Sequence, residues 1–268
     1  MPRFDANLSY LFTDTPWERR FDVAAAAGFT AVEINAPAPY QFSAVELRRR
    51  LADAGLTCVA LLSPVGEGRE QLGMAIFPEH REAVHASVHR ALEYCDASGT
   101  RLLHILAGSV PADLSMDVAS ATYVENMAWA ADEVAKAGIT LGIEPISHVR
   151  FKDYLVRTTD DGLRLMRRIA RKNIGLIYDF YHAQMEEGHL SATLQAHIGD
   201  MVHIQVGNPP GRHEPGNGEL DFEFLFAFVD RLGYKGWVGC EYVPARDTLG
   251  GLAWARRWGV TPPYAPTR

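Results

Sequence analysis

The sequence is short of cysteine, of positive charge and of long apolar runs, and each shortage excludes a class of protein. Three cysteines in 268 residues, Cys58, Cys95 and Cys240, include no CxxC pair, which is typical of a reduced, cytoplasmic protein. Lysine and arginine number 26 against 33 acidic residues, a net charge of −7, which argues against a nucleic acid partner. No run approaches the roughly 18 apolar residues of a membrane span, and no export signal is recognisable, so we expect no membrane partner.

What is present is an alternation of short apolar runs with longer stretches whose apolar residues recur at helical spacing. The hydrophobic content of 47% is enough for a large core. The predicted strands are 4–8, 31–34, 57–62, 102–106, 140–144, 174–178, 201–205 and 237–241. The predicted helices are 17–27, 44–54, 79–98, 118–137, 159–170 and 222–232.

This alternation predicts a (β/α)8 barrel, an α/β fold in a single domain. Eight units in 268 residues give about 33 residues each, the size of one strand-helix step of such a barrel. We assign residues 1–258 to the barrel and residues 259–268 to an irregular, proline-rich tail. A doubly wound open sheet is the alternative fold, but the glycine-rich turn that it needs after the first strand is missing.

Polar side chains end each of the last four predicted strands. They are Glu144, Asp179, Gln205 and Glu241, and each has an oxygen donor. Barrels of this type build their active sites at the carboxyl ends of the strands, so the four should converge at one mouth. Three carboxylates brought together out of water would repel one another, and a divalent cation relieves that repulsion. Oxygen donors favour Mg²⁺ or Mn²⁺ over zinc.

A plainer interpretation is that each acid caps the following helix or pairs with an arginine. Four such residues at the same point of consecutive units make that interpretation the weaker one. Glu33 ends the second predicted strand in the same manner, and we expect it to support the ligands from behind.

Several sequence phrases resemble the hydroxypyruvate isomerase family of the xylose isomerase-like barrels. They are RFDANLS at 3–9, LFT at 11–13, GFTAVE at 28–33, IEPI at 143–146, YDFYH at 178–182, HIQ at 203–205, GRHEPG at 211–216 and CEY at 240–242. The resemblance covers nearly the whole chain. It implies that Glu144 and Glu241 are the catalytic pair and that Asp179 and Gln205 complete the metal ligands.

Two further residues are candidates for binding the substrate. His182, three residues after Asp179, is placed to hydrogen-bond a substrate oxygen, or alternatively caps the next helix. Arg212 lies in the loop after the seventh strand, where its planar fork suits a substrate carboxylate. A surface ion pair with Glu214 or Glu219 is the competing interpretation of Arg212.

The resemblance implies an aldose-ketose isomerase that acts on hydroxypyruvate or a related 2-oxo acid such as 2-oxo-tetronate. Such an enzyme needs a divalent metal, Mg²⁺ or Mn²⁺, and no organic cofactor, and its partner is a small molecule. The chain departs from the family pattern in the loops 63–78 and 146–157, which shape the substrate site. A ketose 3-epimerase and a non-catalytic sugar-acid-binding barrel stay as alternatives, and homo-oligomerisation is left open.

Overall fold

The computed structural model describes residues 1–261, with residues 69 and 70 described by their backbone alone. Within that range the strands are β1 Arg3–Asn7, β2 Ala31–Ile34, β3 Thr57–Leu62, β4 Leu102–His104, β5 Thr140–Ile143, β6 Ile174–Asp179, β7 Met201–Val206 and β8 Trp237–Cys240. Each strand pairs in parallel with the next, and β8 pairs with β1. The predicted (β/α)8 barrel is therefore confirmed.

Helices surround this barrel. In the described part of the chain they are α1 Arg20–Ala26, α2 Ala44–Ala54, α3 Arg81–Ser98, α4 Met116–Ala135, α5 Thr159–Ile169, α6 Phe180–Glu186, α7 Leu190–His197, α8 Phe222–Arg231 and α9 Thr248–Gly251. Local signals fix their ends. The Ser43 side chain accepts from the Glu46 amide at the start of α2, and Gly55 ends that helix with a left-handed φ of 66°.

The predicted helices differ from the observed ones at the first helix and at the short helices α6, α7 and α9, of which α9 has only 4 residues. The stretch 17–27 begins with a 3₁₀ turn, Trp17–Arg19, before α1. Helices α6 and α7 are not among the predicted ones, because they have only 7 and 8 residues and are separated by Gly188, whose φ is 66°. Segments of this length hold too few turns to show a helical period. Of the predicted tail, residues 262–268 lie outside the described residues, so that boundary stays a prediction.

The centre of the barrel is polar, which is unusual for a fold normally packed with branched apolar side chains. Asp5, Glu33 and His203 are buried there, with His203 Nε2 2.6 Å from Glu33 Oε2. Burial alone would raise the pKa of Glu33, but the charge of His203 and the hydrogen bonds from His203, Gln205 and Asn7 together lower it. Gly239 makes room for this carboxylate, since a Cβ on it would lie 2.6 Å from Glu33 Oε1.

The cysteines and the helices relate to two predictions, that the protein is reduced and cytoplasmic and that it has no membrane partner. Cys58, Cys95 and Cys240 are free and buried, and burial raises the pKa of Cys58 and of Cys95 to about 12. Among the described residues, none of the helices combines the length and the apolar character needed to span a membrane. The cytoplasmic location stays a prediction.

Candidate active site

A cavity of about 640 Å³ opens at the carboxyl ends of the strands. Four of the predicted site residues line it: Glu144, His182, Arg212 and Glu241. Glu144 directly follows β5, and Glu241 directly follows β8. These two predicted catalytic residues therefore face the same space although 97 positions separate them in the chain.

Asp179 is fully buried beside this cavity and has two partners. One oxygen accepts from the Tyr181 amide at 2.8 Å, which caps α6, and the other accepts from Arg212 Nη2 at 2.6 Å. The plainer interpretation of the strand-end acids, a helix cap or an arginine pair, thus holds for Asp179. Asp179 Oδ2 also lies 3.6 Å from His182 Nε2.

His182 belongs to the acid cluster itself. Its Nε2 atom lies 3.7 Å from Glu144 Oε1, and one ligand atom from each of Glu144, Asp179 and His182 lies within 4.8 Å of the other two. On the far side of the ring, Nδ1 accepts from the Ser147 amide at 3.3 Å and lies 3.0 Å from Ser147 Oγ. An amide donor requires an unprotonated Nδ1, so the neutral ring carries its proton on Nε2, facing the acids.

Glu241 has one occupied and one open oxygen. Its Oε1 accepts from Asn35 Nδ2 at 2.9 Å, whereas Oε2 has no hydrogen-bond partner among the described residues. Asn35 directly follows β2. The rule that found the other site residues, a polar side chain at the end of a strand, also applies to Asn35, although the sequence prediction left it out.

Gln205 is held from behind, as expected for Glu33. Gln205 Nε2 donates to Glu33 Oε1 at 3.0 Å, and Asn7 Nδ2 donates to the same oxygen at 2.9 Å. The amide oxygen of Gln205 is buried and has no hydrogen-bond partner within residues 1–261. An amide fixed through its nitrogen leaves that oxygen available to a ligand.

Arg212 is buried rather than on the surface. Its Nη1 donates to the Tyr10 hydroxyl at 3.1 Å, and its Nη2 lies 3.5 Å from Glu241 Oε2 in addition to the Asp179 contact. The guanidinium also lies over the rings of Tyr10 and Tyr181, at 5.0 and 5.2 Å. Neither of the surface partners considered for Arg212 contacts it. Glu214 accepts from the Ala245 amide and Glu219 from Gln184, so the surface-pair interpretation is wrong.

Burial and like charge raise the pKa values of the acids. Burial, followed by the charges of Glu241 and Asp179, holds the pKa of Glu144 well above its ordinary value. Burial raises the pKa of Glu241 to about 8 even though Arg212 opposes the shift. Burial also lowers the pKa of His182 well below its usual range, which keeps the ring neutral. One arginine thus faces three carboxylates, and the site is short of positive charge.

These features fit a divalent cation. Gln205 Oε1 and Glu241 Oε2 are buried acceptors that receive no hydrogen bond in the described part of the chain, and the nearest cation to Glu241 Oε2 is Arg212 Nη2 at 3.5 Å. Such groups are costly unless a ligand satisfies them. Glu144 and Asp179 supply further carboxylate oxygens close to one another, and the protonated Nε2 of His182 faces both of them. The donor set is oxygen, as predicted for Mg²⁺ or Mn²⁺, and His182 faces it as a hydrogen-bond donor rather than as a ligand.

Comparison with known proteins gives the family. A model described as xylose isomerase-like TIM barrel matches residues 21–258. A 2-oxo-tetronate isomerase of Cupriavidus necator is 39% identical over 257 residues, covering 96% of this chain and 98% of that protein. A hydroxypyruvate isomerase of Escherichia coli is 36% identical over 255 residues, covering 95% and 98%.

A solved structure agrees in fold. The crystal structure of a protein named AP endonuclease, family 2, from Brucella melitensis matches with a TM-score of 0.92 at 37% identity, covering 97% of this chain and 100% of that one. The chain belongs to the xylose isomerase-like TIM barrel family. The expected likeness to hydroxypyruvate isomerases, and with it the prediction of an isomerase, is confirmed.

Proposed function

We propose that this protein is a metal-assisted aldose-ketose isomerase for a small 2-oxo acid, hydroxypyruvate or 2-oxo-tetronate. The observation that carries the proposal is the pair Glu144 and Glu241, two buried glutamates with raised pKa that face one cavity beside open oxygen donors. The named activities of the relatives from C. necator and E. coli support the substrate class.

The two glutamates would move the proton. Isomerisation takes a proton from the carbon next to the carbonyl and returns it to the neighbouring carbon, with an enediolate between the two steps. Burial raises the pKa of Glu241 to about 8 in the metal-free protein, and a bound cation would lower it again, so that the ionised carboxylate could act as a base near neutral pH. We assign proton removal to one of the pair and proton return or hydroxyl exchange to the other.

The metal would be held by the oxygens of Glu144, Asp179, Gln205 and Glu241. A bound Mg²⁺ or Mn²⁺ supplies electrostatic stabilisation of negative charge that develops on the substrate oxygens. The chain's own contribution is to hold these donors in place. Asn35 orients Glu241, and Glu33 orients Gln205.

His182 and Arg212 would contact the substrate. Both line the cavity, and His182 presents its Nε2 proton towards the acid cluster, where it can donate to a substrate oxygen. The Arg212 charge is shared with Asp179 and Glu241. The expectation that Arg212 binds the substrate carboxylate stays a prediction, and these two carboxylates compete for the same guanidinium.

A ketose 3-epimerase is the second candidate. The cavity of about 640 Å³ is larger than a three-carbon acid needs, and the same pair of glutamates could exchange a proton at the next carbon. DNA cleavage, which the name of the B. melitensis protein suggests, has less support here. An acid-lined cavity and a net charge of −7 both repel a phosphate backbone.

The test is a substrate screen with hydroxypyruvate, 2-oxo-tetronate and common ketoses, run after chelation and again with added Mg²⁺ or Mn²⁺. We expect turnover of a 2-oxo acid that disappears on chelation and returns with the metal. A preference for an uncharged ketose would favour the epimerase. Full activity after exhaustive chelation would contradict metal assistance.

A further inference from the structure

Among the described residues, two arginines line the cavity, and only one of them forms hydrogen bonds and ion pairs with other side chains of that part of the chain. Arg212 is buried and contacts two carboxylates and a tyrosine hydroxyl. Arg150 also lines the cavity but is exposed. Among the described residues, the Arg150 guanidinium forms no hydrogen bond and no ion pair. It lies over the ring of Phe151, 5.0 Å from the ring centre.

The backbone that carries Arg150 is fixed on both sides. The Arg150 amide donates to the Ser147 carbonyl at 2.9 Å, which closes a turn, and Ser147 in turn contacts His182. At the other end of the loop, the Val110 amide donates to the Asp153 carbonyl at 2.8 Å. Arg150 therefore lies on a turn whose two ends are held by hydrogen bonds, and its guanidinium has no ion-pair partner within the described residues.

The same turn is also held from outside the cavity. His148 contacts Glu186 Oε2 through its amide at 3.0 Å and through its ring at 2.6 Å, and Arg157 lies 3.4 Å from the other Glu186 oxygen. The neighbouring acid is thus already paired with other groups. A guanidinium left free beside a paired acid is available to an incoming anion.

The charges of the cavity indicate which anion it would be. The inner end holds the carboxylates of Glu144, Asp179 and Glu241 and the guanidinium of Arg212, so a divalent cation would bring that end to neutrality. His182 adds no charge, because its Nδ1 accepts from the Ser147 amide. The positive charge of Arg150 then remains uncompensated, and one substrate carboxylate would neutralise it. We propose that Arg150 is the specificity residue of this enzyme and binds the carboxylate of the 2-oxo acid.

This inference rests on the proposed function for its substrate class, but it assigns the carboxylate to a different arginine. Phe151 supports the assignment because it lines the cavity beside Arg150 and its ring covers the guanidinium. A ring beneath the fork limits its freedom and leaves its edge open for a bidentate contact.

The test compares Arg150→Gln with the control Lys152→Gln. The control also removes one positive charge, but from a side chain two residues further along the chain that is 91% exposed. For Arg150→Gln we expect KM for a 2-oxo acid to rise at least tenfold with kcat little changed, and no change for an uncharged ketose. Arg150→Lys should recover part of the loss, and Lys152→Gln should match the wild type. Equal losses on charged and uncharged substrates would overturn the proposal, as would a loss confined to phosphorylated ketoses.

A binding measurement separates this inference from the proposed function. Glycerate carries the carboxylate but no carbonyl to isomerise, and glyceramide is its uncharged counterpart. By calorimetry, Arg150→Gln should weaken glycerate binding at least tenfold and leave glyceramide unchanged. Unchanged glycerate binding would overturn the role of Arg150 even if the enzyme isomerises 2-oxo acids. A wild type that turns over no 2-oxo acid would overturn the proposed function, and the calorimetry would still decide the role of Arg150.

Discussion

The loop after β7 and the loop after β5 each bring one arginine to the cavity, and they place it in opposite ways. In the loop after β7, Arg212 has a left-handed φ of 54°, is buried, and contacts the acids that would hold the metal. In the loop after β5, Arg150 is exposed and unpaired among the described residues. The difference separates two tasks. Arg212 offsets the charge of the acids to which we assign proton transfer, and Arg150 is the arginine that we propose selects the substrate.

Replacing one of the two glutamates proposed for proton transfer should have the largest effect on kcat. It should leave the different roles of Arg212 and Arg150 unchanged. We expect Glu241→Gln to lower kcat by about 10² or more, the usual contribution of a general acid or base. The fold should survive, because glutamine can still accept from Asn35 and removes a buried charge. Steady-state kinetics and circular dichroism check both points. Glu219→Gln, an exposed acid in the loop after β7, is the control and should keep wild-type kcat.

The Arg212→Ala variant tests whether Arg212 offsets the charge of the buried acids rather than binding the substrate carboxylate. Loss of this cation leaves Asp179 buried with only its cap, and breaking a buried pair costs about 3 to 5 kcal/mol of folding free energy. Activity should fall by the same factor on a 2-oxo acid and on an uncharged ketose. Denaturant unfolding and paired kinetics are the measurements. A loss confined to the acid would assign the carboxylate to Arg212, as the sequence pattern predicts, and remove the contrast with Arg150.

Stability against pH sharpens the account of the inner end. Because the pKa of Glu241 is raised to about 8, the folded protein binds more protons than the unfolded chain between the ordinary glutamate pKa and 8. The unfolding free energy of the metal-free protein should therefore fall as pH rises through that window. Thermal unfolding with a chelator should show the decline, and Glu241→Gln should flatten it. A wild-type profile parallel to that of the variant would contradict the charge deficit.

The smallest effect on activity is expected for Ser147, which connects the turn of Arg150 to the acid cluster. Ser147 begins the turn that carries Arg150 and contacts His182 Nδ1 at 3.0 Å. We expect Ser147→Ala to lower kcat/KM three- to tenfold, in line with about 1 kcal/mol for one hydrogen bond. Kinetics on a 2-oxo acid measure it, with Ser120→Ala on α4 as a control. An unchanged value would show that the amide of Ser147 alone is enough to orient the ring.

The fold was predictable because strand and helix periods repeat along the chain. The strand cores were placed correctly, and the errors are short helices such as α6 and α7, whose length hides their period. Residues at strand ends were predictable for the same reason, since parallel strands of a barrel bring their carboxyl ends together. Asn35 obeys this rule and could have been included.

Contacts made by loops were not predictable. The pairing of Arg212 with Asp179 needs a left-handed residue in a loop folded back on itself between Asn208 and His213. The contact of Ser147 with His182 joins residues 35 positions apart through a turn. Neither leaves a periodic signal in the sequence, because loop conformation follows from long-range contacts rather than local pattern.

The central claim is that a pair of glutamates moves a proton between neighbouring carbons, and turnover in D₂O tests it most directly. With hydroxypyruvate or 2-oxo-tetronate and added Mn²⁺, we expect solvent deuterium at the product carbon, at least in part, because a carboxyl proton exchanges with water. Proton NMR of the product measures the incorporation. Complete retention of the substrate hydrogen over many turnovers would indicate a hydride shift and contradict the roles assigned to Glu144 and Glu241.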